Sequence, residues 1–252
     1  MFFGKRRALP VVRCSVQHLI RLKPVVRIQF QFCLLFISLL TLGLAANAAH
    51  AADTPPNIHE LAQRIDNRYD RLHSLQADFA ETYTGSGMDR RESGTLWLKK
   101  PGKMLWEYRS PREKLFISDG KTAWFYVPDE HQVQKTPMKK LDDLRSPFAL
   151  LLGKTKLEKE LQGLSWAPGV HPVQAGDIML RGVPKGLENQ ISEILLEATP
   201  DGRIERVIMV QTDGSVTEYQ FSNQKENVAV QDSKFKFSPP AGSEVVESGL
   251  GQ

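Results

Sequence analysis

The residue types that could activate a nucleophile or hold a metal are sparse and poorly spaced. Past the first 52 residues the histidines are His59, His73, His131 and His171. No two have the H-x-x-x-H spacing that sets paired imidazoles on one helical face. Both cysteines, Cys14 and Cys33, lie in the N-terminal region, so the remainder offers no thiolate, cysteine metal site or disulfide. There is no G-x-S-x-G elbow, no G-x-x-x-x-G-K-[ST] loop and no G-x-G-x-x-G after a strand. Glu107, between Trp106 and Tyr108, is the carboxylate whose neighbours could raise its pKa; its other reading is a solvent-facing strand position. Glu193 and Glu197 alternate with Ile194 and Leu196, as on an outward sheet face. No catalytic set follows. The expectation is a protein that is not an enzyme and uses no metal and no cofactor.

What the sequence concentrates is apolar surface. The stretch GTLWLKKPGKMLWEYRSP crowds large side chains around Pro101-Gly102, with Lys99 and Lys100 directly before the bend. By the two-residue period of a strand, Leu96 and Leu98 share a face with Lys100. Met104, Trp106 and Tyr108 share a face of the next strand, and Trp124 and Tyr126 share one opposite Phe125. Runs such as AWFYV and EILLE are apolar on both faces and need cover on both sides. Two chemistries fit: a filled interior, or a cavity lined for an apolar ligand.

The elements that must position these residues are readable. Asn57 and Glu60 have the spacing of a capping box, and Ile58, Leu61, Ile65, Tyr69 and Leu72 then fall on one helical face. From Leu75 the period changes to two. Short strands follow at 93–99, 104–109, 114–118, 122–127 and 131–135, separated by Pro-Gly, Ser-Pro, Asp-Gly and Pro-Asp turns. The stretch PMKKLDDLRSPFALLLGKTKLEKELQGL reads as helical, broken near Pro147 and Gly153. Strands resume at 177–183, 191–199, 203–211, 215–223 and 234–237, with a mostly irregular tail from Ser238. The fold class expected is mainly β with α: an incomplete, unclosed antiparallel barrel of about 11 strands, with an N-terminal helix and a mid-chain helical lid.

The charge balance separates a leader from a domain. Residues 1–52 hold seven basic residues and no acidic ones. Taking those seven from the chain's 33 basic residues leaves 26 against 29 acidic ones, so the formal charge of +4 belongs to the leader and argues for no nucleic acid. The apolar run Phe30–Leu44 is short of the roughly 20 residues that span a bilayer. It precedes small residues with A-x-A matches ending at Ala48 and Ala51. The expectation is a cleaved signal peptide within residues 1–51 and a single exported domain over 52–252. An uncleaved membrane anchor is the other reading.

Four segments taken together carry a family resemblance: LWLKKPGKMLWEY, SDGKTAWFYVP, SPFALLLG and FKFSPPAG, in that order. The chain resembles the LolA family of periplasmic outer-membrane lipoprotein carriers, over roughly residues 57 to 246. That resemblance implies an unclosed barrel whose concave face holds the acyl chains of lipoproteins. It implies a periplasmic monomer that takes acylated lipoproteins from an inner-membrane ABC lipoprotein-releasing complex and delivers them to an outer-membrane lipoprotein acceptor. Leu96, Leu98, Met104, Trp106, Trp124 and Tyr126 are the candidate cavity lining. Phe148, Leu150, Leu151 and Leu152 are the candidate lid. The family commonly has an arginine latch at the position of Lys100, and an aromatic at that of Met104. Lysine lacks the five-donor fork, which implies a looser latch. Lys99, pointing the other way, is expected to be solvated. The alternative is an envelope sensor or interaction module of the same fold that binds lipidated or misfolded partners.

Overall fold

The computed structural model describes residues 57–139 and 156–247. Helix α1 (Ile58–Arg71) begins where Asn57 Oδ1 accepts the His59 N–H at 3.0 Å. That bond satisfies one of the donors a helix N-terminus leaves open. Its expected apolar face is the buried one: Leu61, Ile65 and Tyr69 are fully covered, and Leu72 follows as the extended C-cap.

Twelve strands are present among the described residues. They are β1 (Ser74–Gly85), β2 (Met88–Lys99), β3 (Lys103–Ser110), β4 (Lys114–Asp119), β5 (Thr122–Val127), β6 (Gln132–Pro137), β7 (Leu161–Trp166), β8 (Ile178–Pro184), β9 (Ile191–Ala198), β10 (Ile204–Gln211), β11 (Val216–Glu226) and β12 (Glu244–Glu247). They form one sheet in the order β12-β6-β5-β4-β3-β2-β1-β11-β10-β9-β8-β7. Two meanders therefore join where β1 pairs with β11, and β12 and β7 remain as edges. Every neighbouring pair is antiparallel except β12 with β6. The sheet is an unclosed barrel wall, as expected.

The described chain from residue 156 onward departs from the sequence reading in three places. Only Leu157–Glu160 (α2) is helical in LEKELQGL; Leu161 starts a strand instead. Residues 234–237, read as a strand, belong to a 3-10 turn at Asp232–Phe235 and the loop after it, because two side chains fix that segment. Asp232 takes ion pairs from Lys99 and Lys103, both 2.6 Å, and the Phe235 ring is fully buried. The tail, read as irregular, includes β12, which covers the otherwise open edge of β6.

The main core lies between the concave sheet face and α1. Gly202, at φ +87°, lets the β9–β10 turn reach the helix; a Cβ there would sit 2.7 Å from the backbone of Arg64 and Ile65. Gly94 does the same for two strands, since its Cβ would meet the Glu107 carbonyl oxygen at 1.9 Å. Two smaller clusters lie on the convex face, under residues 167–170 and under the C-terminal segment.

Candidate functional site

Strand register sorts the concave face into rows. The first row crosses β1 to β5 as Leu75, Leu98, Met104, Ser118 and Ala123. The second is Ala77, Leu96, Trp106, Phe116 and Phe125. The third is Phe221, Phe79, Gly94, Tyr108 and Lys114. Phe79 lies over the gap that Gly94 leaves and meets Trp106 and Tyr108 edge-on, both at 4.9 Å between ring centres. Trp106 also meets Tyr219 edge-on at 5.7 Å. Such edge contacts hold the rings in one arrangement. The result is an aromatic wall flanked by aliphatic side chains and free of charge in its first two rows.

Leu96, Leu98, Met104 and Trp106 all stand in these rows. Trp124 and Tyr126 do not, and this corrects the sequence reading. Trp124 pairs with Ile117, which pairs with Leu105 and, beyond it, Trp97, so this row faces the convex side. Tyr126 follows two residues on, against the Phe237 ring. The cause is the link between Ser118 and Ala123, a register pair with four residues between its members. An even link switches the inward residues from even numbers in β4 to odd numbers in β5. Phe116 and Phe125 therefore line the concave face; the sequence reading missed both, and the link length is the signal that could have found them. Trp97, Leu105, Ile117 and Trp124 are instead covered by Val230, Phe235 and Phe237.

The two lysines of the hairpin diverge as the alternation required. Lys100 Nζ donates to the carbonyl oxygens of Tyr69, in a short contact, and of Asp70, at 3.0 Å. It closes the C-terminus of α1, where unsatisfied carbonyls and the helix dipole both favour a cation. Burial lowers its pKa, with Lys156 adding to the effect and Asp70 opposing it. Lys99 is not simply solvated: its Nζ bonds the Val230 carbonyl at 2.8 Å and Asp232 at 2.6 Å, fastening the segment that covers the convex aromatics.

The same helix is tied to the segment after the candidate lid. Asp66 Oδ1 accepts the Leu157 N–H at 2.9 Å, Asp70 pairs with Lys156, and His59 pairs with Glu158. Burial raises the Asp66 pKa against the opposing pull of the Leu157 N–H and Lys156. Phe148, Leu150, Leu151 and Leu152 lie outside the described residues. Lys100 is thus fastened to α1, and α1 to residues 156–158.

Glu197 occupies the outward face, as its alternation implied, yet it is fully buried. Its Oε1 accepts the N–H groups of Val173 and Gln174 at 2.8 and 3.1 Å, and its Oε2 pairs with Arg206 at 2.7 Å. This is a structural clamp on the β7–β8 loop.

The family model described as outer membrane lipoprotein carrier protein LolA matches residues 70–238. The chain belongs to the LolA family. The outer-membrane lipoprotein carrier protein of Chromobacterium violaceum is 35% identical over 175 residues, covering 69% of this chain and 81% of the relative. That of Nitrosospira multiformis is 31% identical over 181 residues, covering 70% and 84%. The crystal structure of an uncharacterized conserved protein from Thermus thermophilus shares the fold, with a TM-score of 0.50 at 14% identity over 75% of this chain and 98% of that one. The LolA match takes in the Lys100 hairpin and all the concave rows.

Proposed function

We propose that the protein is a periplasmic carrier that buries the acyl chains of lipoproteins against its concave face. It works by binding and transfer, not by catalysis. The observation that carries this reading is the pair of uncharged rows through Leu98 and Trp106, which offer a broad apolar wall without polar anchors. Each buried methylene contributes about 0.8 kcal/mol. Acyl chains therefore need cover to cross water, and a wall without anchors lets them go again. In this reading residues 1–51 are a signal peptide cleaved after Ala48 or Ala51, and the exported chain acts as a monomer. It receives cargo from an inner-membrane ABC lipoprotein-releasing complex and passes it to an outer-membrane acceptor.

The direct test is to purify the protein from the cell envelope and identify bound acylated protein by mass spectrometry, then deplete it in cells. Bound lipoproteins, and their retention in the inner membrane on depletion, are expected. Normal lipoprotein sorting after depletion would sink the proposal.

A further inference from the structure

The concave face changes character along the strands. Beyond the row of Phe79 and Tyr108 comes a fourth, in which Tyr219, Glu81 and Glu92 stand side by side on β11, β1 and β2. Glu81 and Glu92 are direct cross-strand partners, and each is only 6% exposed. Like charges directly opposite on neighbouring strands repel, and buried carboxylates demand partners. The partners are present. Lys114 Nζ lies 2.6 Å from Glu92, and Arg90 lies 3.4 Å from Glu92 and 3.8 Å from Glu81. Tyr108 donates to Glu81 at 2.8 Å, and Tyr219 bonds the same carboxylate. Burial raises the pKa of both phenols, which keeps them protonated as donors.

We propose that this network ends the acyl-binding surface and sets how long an acyl chain the protein accepts. The inference rests on the carrier reading. The apolar stretch runs from the Leu75 row to the Phe79 row, about 13 Å at the rise of a strand. Its two ends are charged, with Lys100 at one and the Glu81–Glu92 network at the other. A methylene that reaches the network gains no apolar contact. To advance further, the chain must displace hydrogen bonds and strip ion pairs that are already out of water, which costs far more than a methylene returns. Tyr108 and Tyr219 pack their rings against Phe79 and Trp106 and bond Glu81 through their hydroxyls, so the boundary is abrupt.

The test uses the mature protein and saturated fatty acids from hexanoate to eicosanoate, each displacing a fluorescent acyl probe. Wild-type affinity should rise about fourfold per methylene, then break and stay level. Replacing one charge pair together, Glu92→Leu with Lys114→Leu, leaves Glu81 balanced by Arg90. This variant should move the break to longer chains and raise eicosanoate affinity about tenfold or more relative to that for hexanoate. A wild-type series that climbs through eicosanoate without a break would overturn the proposal, as would a break that the double variant leaves in place. Binding of no fatty acid by the wild type would overturn the carrier reading and this inference with it. A second measurement needs no variant: stearate carrying a spin label at its methyl end should broaden the ring signals of Tyr108 and Tyr219. Broadening centred on the α1 end, around Leu72 and Leu98, would overturn the proposal.

Discussion

Replacing Lys100 with methionine keeps most of the apolar stem and removes the ammonium. The two carbonyls at the end of α1, those of Tyr69 and Asp70, then lose a charged donor. A hydrogen bond to a charged group contributes about 1.5–3 kcal/mol when it is sheltered. The bond to Asp70 is exposed, and water replaces it at little cost. The bond to Tyr69 is part-buried and carries most of the effect. We therefore expect a loss of about 1–2 kcal/mol in urea unfolding, with a fall in Tm of roughly 2–4 °C per kcal/mol for a domain of this size. Amide exchange in α1 should quicken, because the helix loses a charged contact to the β2–β3 hairpin. Lys100→Arg restores a cation with a planar fork. It should hold α1 at least as firmly and slow cargo transfer in a reconstituted assay. An unfolding free energy for Lys100→Met within about 0.5 kcal/mol of wild type, the range of ordinary surface substitutions, would refute the reasoning.

Two further outcomes are specific. Lys103 and Lys99 hold the Asp232 carboxyl down to about 2. Its folded pKa is below the unfolded value near 3.9, so its stabilising effect is fully present above that value and lost as pH falls toward 2. Asp232→Asn should remove that part of the acid limb in a pH series of thermal melts, and an unchanged limb would contradict the assignment. Glu197→Ala would leave Arg206 buried and the amides of Val173 and Gln174 unpaired, with an expected loss of about 3–5 kcal/mol by urea unfolding; a loss under about 1 kcal/mol would show that the clamp does not hold the loop.

How much was legible in the sequence follows from the range over which each feature is determined. The face of α1 is set by neighbours three and four residues apart, and it is the face observed. The inward positions of Leu96, Leu98, Met104 and Trp106 follow from the two-residue period and a three-residue turn. Trp124 and Tyr126 face outward because the even link at Asp119–Thr122 reverses parity, which the two-residue period within β5 does not reveal. Lys99 looked solvated because its partner, Asp232, lies 133 residues away. The Glu81–Glu92 pair was invisible for the same kind of reason: the two carboxylates meet only when β1 pairs with β2, and their partners Lys114 and Tyr219 lie on β4 and β11. The C-terminal strand was missed because Pro239-Pro240 argues against pairing locally, whereas the open edge of β6 supplies a partner beyond it.

The central claim is that acyl chains lie on the concave face and not on the covered convex one. Adjacent residues of β5 separate the two, since Phe125 faces inward and Trp124 outward. A photo-crosslinking residue placed at position 125 or 124, in cells exporting an acylated lipoprotein, gives the most direct answer. Adducts with the lipoprotein at 125 and none at 124 are predicted. Equal adducts at both positions, or adducts at 124 alone, would contradict the account.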